Sequence, residues 1–339
     1  MRASSDETTR AVLHFVAPRE VAVVTEPLAA PGPGELLVET VVSAISPGTE
    51  LLVYRGEVPL GMALDASIDG LTGDFAFPVK YGYSTVGRVT AVGAEIERSW
   101  LDRLVFSFRP HASRFVAQPD DVHPLPPGVD AADAAMYPSV ETALTLVLDG
   151  RPLAGERVAV VGQGVIGLLT TALLAEFPLE DLVALDLHPL RRELSASLGA
   201  RRALARIAPA ERDREGFDLT YELSGDPAGL DEAIALTGFG GRVVIGSWYG
   251  IRTAQLDLGG RFHRSRMRLV SSQVSTIDPR LSGRWTFERR RSATWSALRR
   301  LRPSRLVTHR IPLGNAAAAY ALLDEHPDEA VQVLLTYAF

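Results

Sequence analysis

The residues most able to do chemistry in this chain are Gly162-Gln163-Gly164-Val165-Ile166-Gly167. They follow the apolar run Val158-Ala159-Val160-Val161 and open a second apolar run that reads as a helix from Val165 to about Glu176. A strand, a glycine-rich turn and a helix in that order suit a dinucleotide phosphate. Gly162 permits the tight turn, Gly164 lets backbone approach a pyrophosphate, and Gly167 lets the helix pack close to the strand. Unpaired N–H groups at the helix start then face the phosphates. Asp186 lies 19 residues beyond Gly167, at the end of the next apolar run. A carboxylate there accepts from both ribose hydroxyls of NAD and repels the 2′-phosphate of NADP. His188, Arg191 and Arg192 offset part of that repulsion, so NAD is the expected cofactor and NADP the less favoured one. Arg191, Ser224 and Ser247 are grouped with Gly162–Gly167 and Asp186 as cofactor-binding residues.

These residues need a scaffold, and the patterning supplies one. Beyond the turn-rich Pro124-Leu125-Pro126-Pro127-Gly128, strand and helix signals alternate. Asp130 is placed to cap a helix that runs to Leu148. Strands are expected at 158–161, 182–185, 219–223, 242–246 and 267–274, with helices at 165–176, 191–198 and 230–237. This alternation predicts an α/β fold with a doubly wound parallel sheet. Residues 11 to about 122 read instead as short strands punctuated by Gly and Pro, a small β-barrel-like domain. After Arg284 come a basic helix, a helix at 316–323 and a strand at 330–336. The expected division is a first domain at 1–128 with a return segment at 287–339, and a dinucleotide domain at 129–286.

Composition narrows the function classes. The chain has 339 residues, no cysteine and a formal charge of −6. Thiolate metal ligands and disulfides are thereby excluded. No apolar run is long enough to span a membrane. The amino end, Met1 to Arg10, is polar, lacks the apolar centre of a secretory signal and reads as a frayed tail, which makes the cytoplasm the expected compartment. Arg261 to Arg310 holds 14 arginines against two acids, a local +12 in an otherwise acidic chain. That stretch is either a solvated, salt-bridging face or a basic rim that draws an anionic substrate. No nucleic-acid module accompanies it.

The chain from about Ala11 onward resembles the medium-chain dehydrogenase/reductase family. The resemblance rests on Ile45-Ser46-Pro47-Gly48-Thr49-Glu50, Tyr81-Gly82-Tyr83-Ser84-Thr85-Val86-Gly87, the glycine loop, and His309-Arg310-Ile311-Pro312-Leu313. It implies a GroES-like β-barrel catalytic domain beside a Rossmann domain, and a homodimer joined through an edge strand near Met267 to Val274. In the zinc branch, a Cys-Gly-Thr-Asp-like sequence and a Gly-His-Glu supply metal ligands. Here the first ligand position holds Ser46 or Pro47, the second Tyr83, and the third Tyr137 or Pro138. Zinc wants three or four Cys, His, Asp or Glu donors, so a zinc-free member is implied. The bacteriochlorophyllide-type alcohol dehydrogenases are a similar subgroup, with a like Ser-x-Gly-Thr-Glu and a Gly-Tyr.

The resemblance further implies that Thr49 passes the alcohol proton outward and that Tyr83 stands beside the substrate oxygen. Ser46 and His111 complete the candidate catalytic set, His111 as an acid/base group at the substrate mouth. Glu50 is expected to pair with an arginine, and Tyr137 to line the pocket. The function implied is a nicotinamide-dependent, zinc-independent oxidoreductase of small-molecule alcohols and carbonyls. Two rivals stand beside it: a zinc-free enoyl or quinone reductase, and a catalytically silent NAD-binding protein.

Overall fold

The computed structural model describes residues 8–59, 61–64, 71, 73–208 and 215–337. Residues 1–7 of the expected tail lie outside this set, whereas Thr8 to Arg10 already belong to a strand. The chain divides into two compact units.

In the first unit, β1 (Thr8–Ala17) and β2 (Glu20–Leu28) form an antiparallel hairpin. A larger sheet is built around β3 (Leu36–Ala44), whose Leu36, Val38, Thr40 and Val42 are buried at the two-residue period of a half-buried strand. A helix, α1 (Pro47–Arg55), follows directly. The sheet continues with β4 (Thr85–Val92), β5 (Leu104–Ser107), β6 (Arg114–Ala117) and β7 (His123–Pro124). Asp130 caps α2 (Ala131–Ala134) by accepting from the Asp133 amide at 2.7 Å, as its sequence position suggested. The helix α3 (Tyr137–Gly150) then carries the chain into the second unit, the boundary falling after Pro138.

The helix α1 is absent from the sequence reading because Pro47-Gly48 looks like a turn. Pro47 is instead its first residue, where a missing N–H costs nothing and the fixed φ suits a helix. Gly56, at φ +71°, ends it.

The second unit contains β8 (Arg157–Val161), α4 (Val165–Leu174), β9 (Asp181–Leu185), α5 (Pro189–Ser197), β10 (Arg202–Leu204) and β11 (Phe217–Glu222). It continues through α6 (Pro227–Leu236), β12 (Thr237–Ile245), β13 (Arg268–Ser271) and α7 (Phe287–Leu301). The strands run in parallel in the order β10-β9-β8-β11-β12-β13. That order reverses direction between β8 and β11, which is where doubly wound sheets bind ligands. Central strands are buried on both faces, so β8 is apolar without alternation. Val161, Val183, Leu185, Ile234 and Val243 share its core.

The chain returns to the first unit through β14 (Val307–Pro312), α8 (Ala316–Glu325) and β15 (Gln332–Thr336). There β15 pairs with β14 in parallel and with β3 antiparallel. Two expected domain limits therefore shift. The first unit extends past residue 128 to Pro138, where the Ser84 hydroxyl donates to the Ala135 carbonyl. The return begins at Val307, not 287, because α7 packs within the second unit through buried Leu298 and an Arg290–Glu141 ion pair of 3.2 Å.

Candidate functional site

The glycine loop sits between β8 and α4, and its glycines have three different reasons to lack a side chain. Gly162 adopts φ +89°, and a Cβ there would lie 2.4 Å from the Ser224 Cα. A Cβ on Gly167 would come within 2.0 Å of the Gly162 carbonyl oxygen. Gly164, the residue that caps α4, is the opposite case: a Cβ would meet nothing within 4 Å. The space in front of the helix start is therefore open, and the first amides of α4 have no acceptor within the helix. A pyrophosphate fits this cradle, both sterically and by charge.

Asp186 closes the other side of the loop. Its Oδ2 accepts from the Gln163 amide at 2.7 Å and its Oδ1 from the His188 amide at 2.9 Å. A carboxylate has about four lone-pair sites, so acceptor capacity remains for ribose hydroxyls. The nearby arginines are partly engaged by the backbone. Arg191 donates to the Pro327 carbonyl at 2.7 Å and lies 3.8 Å from Asp186, while Arg192 donates to the carbonyls of Asp186 and Leu187. Arg192 makes both of these bonds through Nη1 alone, and Arg191 Nε has no hydrogen-bond partner among the described residues.

Three residues assigned to the cofactor also bond within the protein. The Gln163 side chain is buried; its Oε1 accepts from Thr171 and Ser195, tying α4 and α5 to the loop. Ser224 donates to Glu222 Oε1 through both its amide and its hydroxyl. Ser247 accepts from the Gly225 amide at 2.9 Å. The sequence reading missed Glu222, whose fully buried carboxylate also accepts from the Tyr249 hydroxyl at 2.5 Å. Burial and the adjacent Glu222 charge push the Tyr249 phenol up, so it stays a donor. A buried-strand pattern that ends on an acid was the available signal.

In the first unit the structure brings Ser46 and Tyr83 together. Ser46 precedes α1 and Tyr83 precedes β4; the tyrosine hydroxyl donates to Ser46 Oγ at 2.6 Å. Thr49, in the first turn of α1, is partly exposed, and its hydroxyl makes no hydrogen bond among the described residues.

His111 is not at a substrate mouth. It is fully buried, its Nε2 lies 3.0 Å from Glu50 Oε2, and its Nδ1 lies 2.7 Å from Ser43 Oγ. With both ring nitrogens engaged and no exposure, it cannot reach a substrate. Glu50 likewise pairs with this histidine and with the Tyr320 hydroxyl, not with an arginine. Tyr137 is buried against Phe106, with ring centroids 5.0 Å apart, and fills the core. The imidazole–carboxylate pair spans residues 61 positions apart, which no local motif announces.

Ser46 or Pro47, Tyr83 and Tyr137 supply no ligand of the kind zinc prefers, and no three His, Cys, Asp or Glu side chains converge among the described residues. A zinc ion does not fit this donor set.

Part of the basic stretch is engaged within the protein. Arg280 pairs with Asp278, Arg290 with Glu141 and Arg300 with Glu176, while Arg289 stacks on Trp285.

Comparison with solved structures identifies the architecture. A protein from Escherichia coli CFT073, named a short chain alcohol dehydrogenase and complexed with the cofactor NADH, superposes with a TM-score of 0.76 at 17% identity. It covers 97% of this chain and 99% of that one. This chain shares the fold of that dehydrogenase, a doubly wound parallel sheet beside a second, largely antiparallel one. Among curated proteins, the chain is 26% identical over 329 residues to the 2-desacetyl-2-hydroxyethyl bacteriochlorophyllide A dehydrogenase of Cereibacter sphaeroides, covering 92% of this chain and 93% of that protein. It is 37% identical over 134 residues to the L-threonine 3-dehydrogenase of Streptomyces coelicolor, a stretch covering 37% of each chain. The match thus spans little more than a third of that relative's length. No family model matches the chain.

Proposed function

We propose that this chain is an NAD-preferring, zinc-independent oxidoreductase that interconverts an alcohol and a carbonyl. The observation that carries this reading is the Tyr83–Ser46 hydroxyl pair, 2.6 Å apart, standing where the resembling enzymes place metal ligands. A bound nicotinamide supplies the hydride acceptor or donor. The residues that hold it are the open cradle at Gly164, the first amides of α4 and Asp186. Asp186 favours NAD over NADP, because a 2′-phosphate would face its carboxylate.

At the substrate oxygen, hydrogen-bond donors do the work a Lewis acid would otherwise do. Tyr83 donates to Ser46, which leaves the Ser46 proton free to donate to the oxygen as negative charge grows there. The proton then passes from Ser46 to product, Tyr83 refills Ser46, and the partly exposed Tyr83 phenolate regains its proton from water. Thr49, with its hydroxyl unengaged, exchanges protons with solvent. In the oxidative direction the same steps run backwards.

A panel pairing a secondary alcohol with NAD against an enone with NADPH tests the assignment. Turnover of the alcohol is expected, and turnover of the enone alone would transfer the chain to the double-bond reductases. Binding of NADH with no turnover on either would support the silent nucleotide-binding protein. We also place a homodimer contact on β13, the edge strand of the parallel sheet, whose outer amides and carbonyls are left for a partner. Light scattering at micromolar concentration should give twice the chain mass; a monomer overturns that contact. Among the described residues no helix is long and apolar enough to cross a membrane.

A further inference from the structure

Glu50 is fully buried, and the donors on its carboxylate are the Ser46 amide at 2.7 Å, the His111 ring at 3.0 Å and the Tyr320 hydroxyl at 2.5 Å. A buried charge held this way fixes the groups that solvate it, because releasing any one leaves the carboxylate under-bonded. Two of these groups lead to the hydroxyl pair. The first is the Ser46 amide, on the residue whose Oγ accepts from Tyr83. The second is His111, against which Gly82 is pressed: a Cβ on Gly82 would lie 2.6 Å from the imidazole, and Gly82 immediately precedes Tyr83. Behind the ring, Ser43 Oγ stands 2.7 Å from His111 Nδ1 and 2.7 Å from the Tyr337 hydroxyl, so the imidazole is held from both sides.

We infer that Glu50 and His111 form a buried positioning pair that holds both members of the Ser46–Tyr83 hydroxyl couple from behind. Glu50 sets Ser46 through the backbone of the turn before α1, and His111 sets Tyr83 through the bare backbone of Gly82. Neither touches substrate. The role of His111 thus passes from acid/base catalyst to positioning residue. Burial and the Glu50 charge push the Tyr320 phenol well up, which keeps it a donor to the carboxylate at every working pH.

This inference rests on the hydroxyl pair being catalytic, and a double-mutant cycle tests it. Tyr83→Phe is expected to lower kcat by about a hundredfold, within the usual range for a lost acid/base group. Glu50→Gln is expected to lower kcat at least tenfold, with the Kd for NADH unchanged within a factor of about two. The double variant should then be little worse than Tyr83→Phe alone. Effects that multiply independently overturn the positioning pair. If Glu50→Gln does not fold, Tyr320→Phe removes a single donor and runs the same cycle.

A readout without turnover separates the two claims. In protein carrying isotope-labelled tyrosine, the Tyr83 ring resonance, assigned by its loss in Tyr83→Phe, should shift in Glu50→Gln. An unmoved resonance overturns the inference. A moved resonance with full activity in Tyr83→Phe upholds the positioning pair and rejects the catalytic reading of the tyrosine.

Discussion

In the proposed function, the loop between β8 and α4 recognises its ligand with backbone, and the corner between Ser46 and Tyr83 works with side chains. The loop's groups lie within six consecutive residues, and what matters at three of them is the missing Cβ. The corner's two hydroxyls are 37 positions apart, and their supports come from β3, from His111, from α8 and from Tyr337 beyond β15. A backbone site fails when an atom is added; a side-chain site fails when one is removed.

That contrast can be broken most severely at Gly167. Gly167→Ala forces a methyl into the Gly162 carbonyl, and overpacking against backbone should cost on the order of 3 kcal/mol or more of stability. A denaturation midpoint equal to wild type would show the loop relaxes freely. Gly164→Val sharpens the same point, since its side chain enters open space. It should leave stability within about 0.5 kcal/mol yet weaken NADH binding more than tenfold by filling the phosphate cradle, as calorimetry would reveal.

At the corner, Tyr83→Phe should reproduce the opposite pattern, lost turnover with intact NADH affinity. Asp186→Ala is expected to cut the NAD over NADP preference in kcat/KM by roughly tenfold, the share of one charge-assisted hydrogen bond. A preference that stays put would move the discrimination to another residue.

The smallest effect concerns Glu26, in the β1–β2 hairpin. Burial pushes its carboxyl up, but hydrogen bonds from Lys80, His14 and Arg10 outweigh that and hold it at about 2. A depressed carboxyl stabilises the fold above its unfolded pKa of about 4.3. That contribution should fade as pH falls from there toward 2. Glu26→Gln should therefore lose about 1 kcal/mol at neutral pH, after allowance for solvent screening, and approach wild type near pH 2. A gap that is equal at both pH values would rule out the ion cluster as its cause.

How much was legible follows the same division. The strands and helices of the second unit other than β10 (Arg202–Leu204), the Asp130 cap and the glycine turn could be read because each is set by neighbours in sequence. The reading of Gly162, Gly164 and Gly167 needed only the strand before and the helix after. Four side chains have surroundings that the sequence did not show, for the converse reason. His111, Glu50, Gln163 and Tyr137 each take their meaning from partners dozens of positions away or from burial that periodicity did not reveal. α1 was missed because Pro47-Gly48 has the composition of a turn and the geometry of a helix start. α7 was assigned to the wrong unit because Arg290, which anchors it, looked like one more exposed cation.

The claim on which the rest depends is that hydroxyls occupy the role of a metal. The direct measurement is turnover of a secondary alcohol with NAD after exhaustive treatment with a strong zinc chelator. The account predicts the same rate before and after treatment, with no rise on adding zinc. A rate that collapses on chelation and returns with stoichiometric zinc would contradict it.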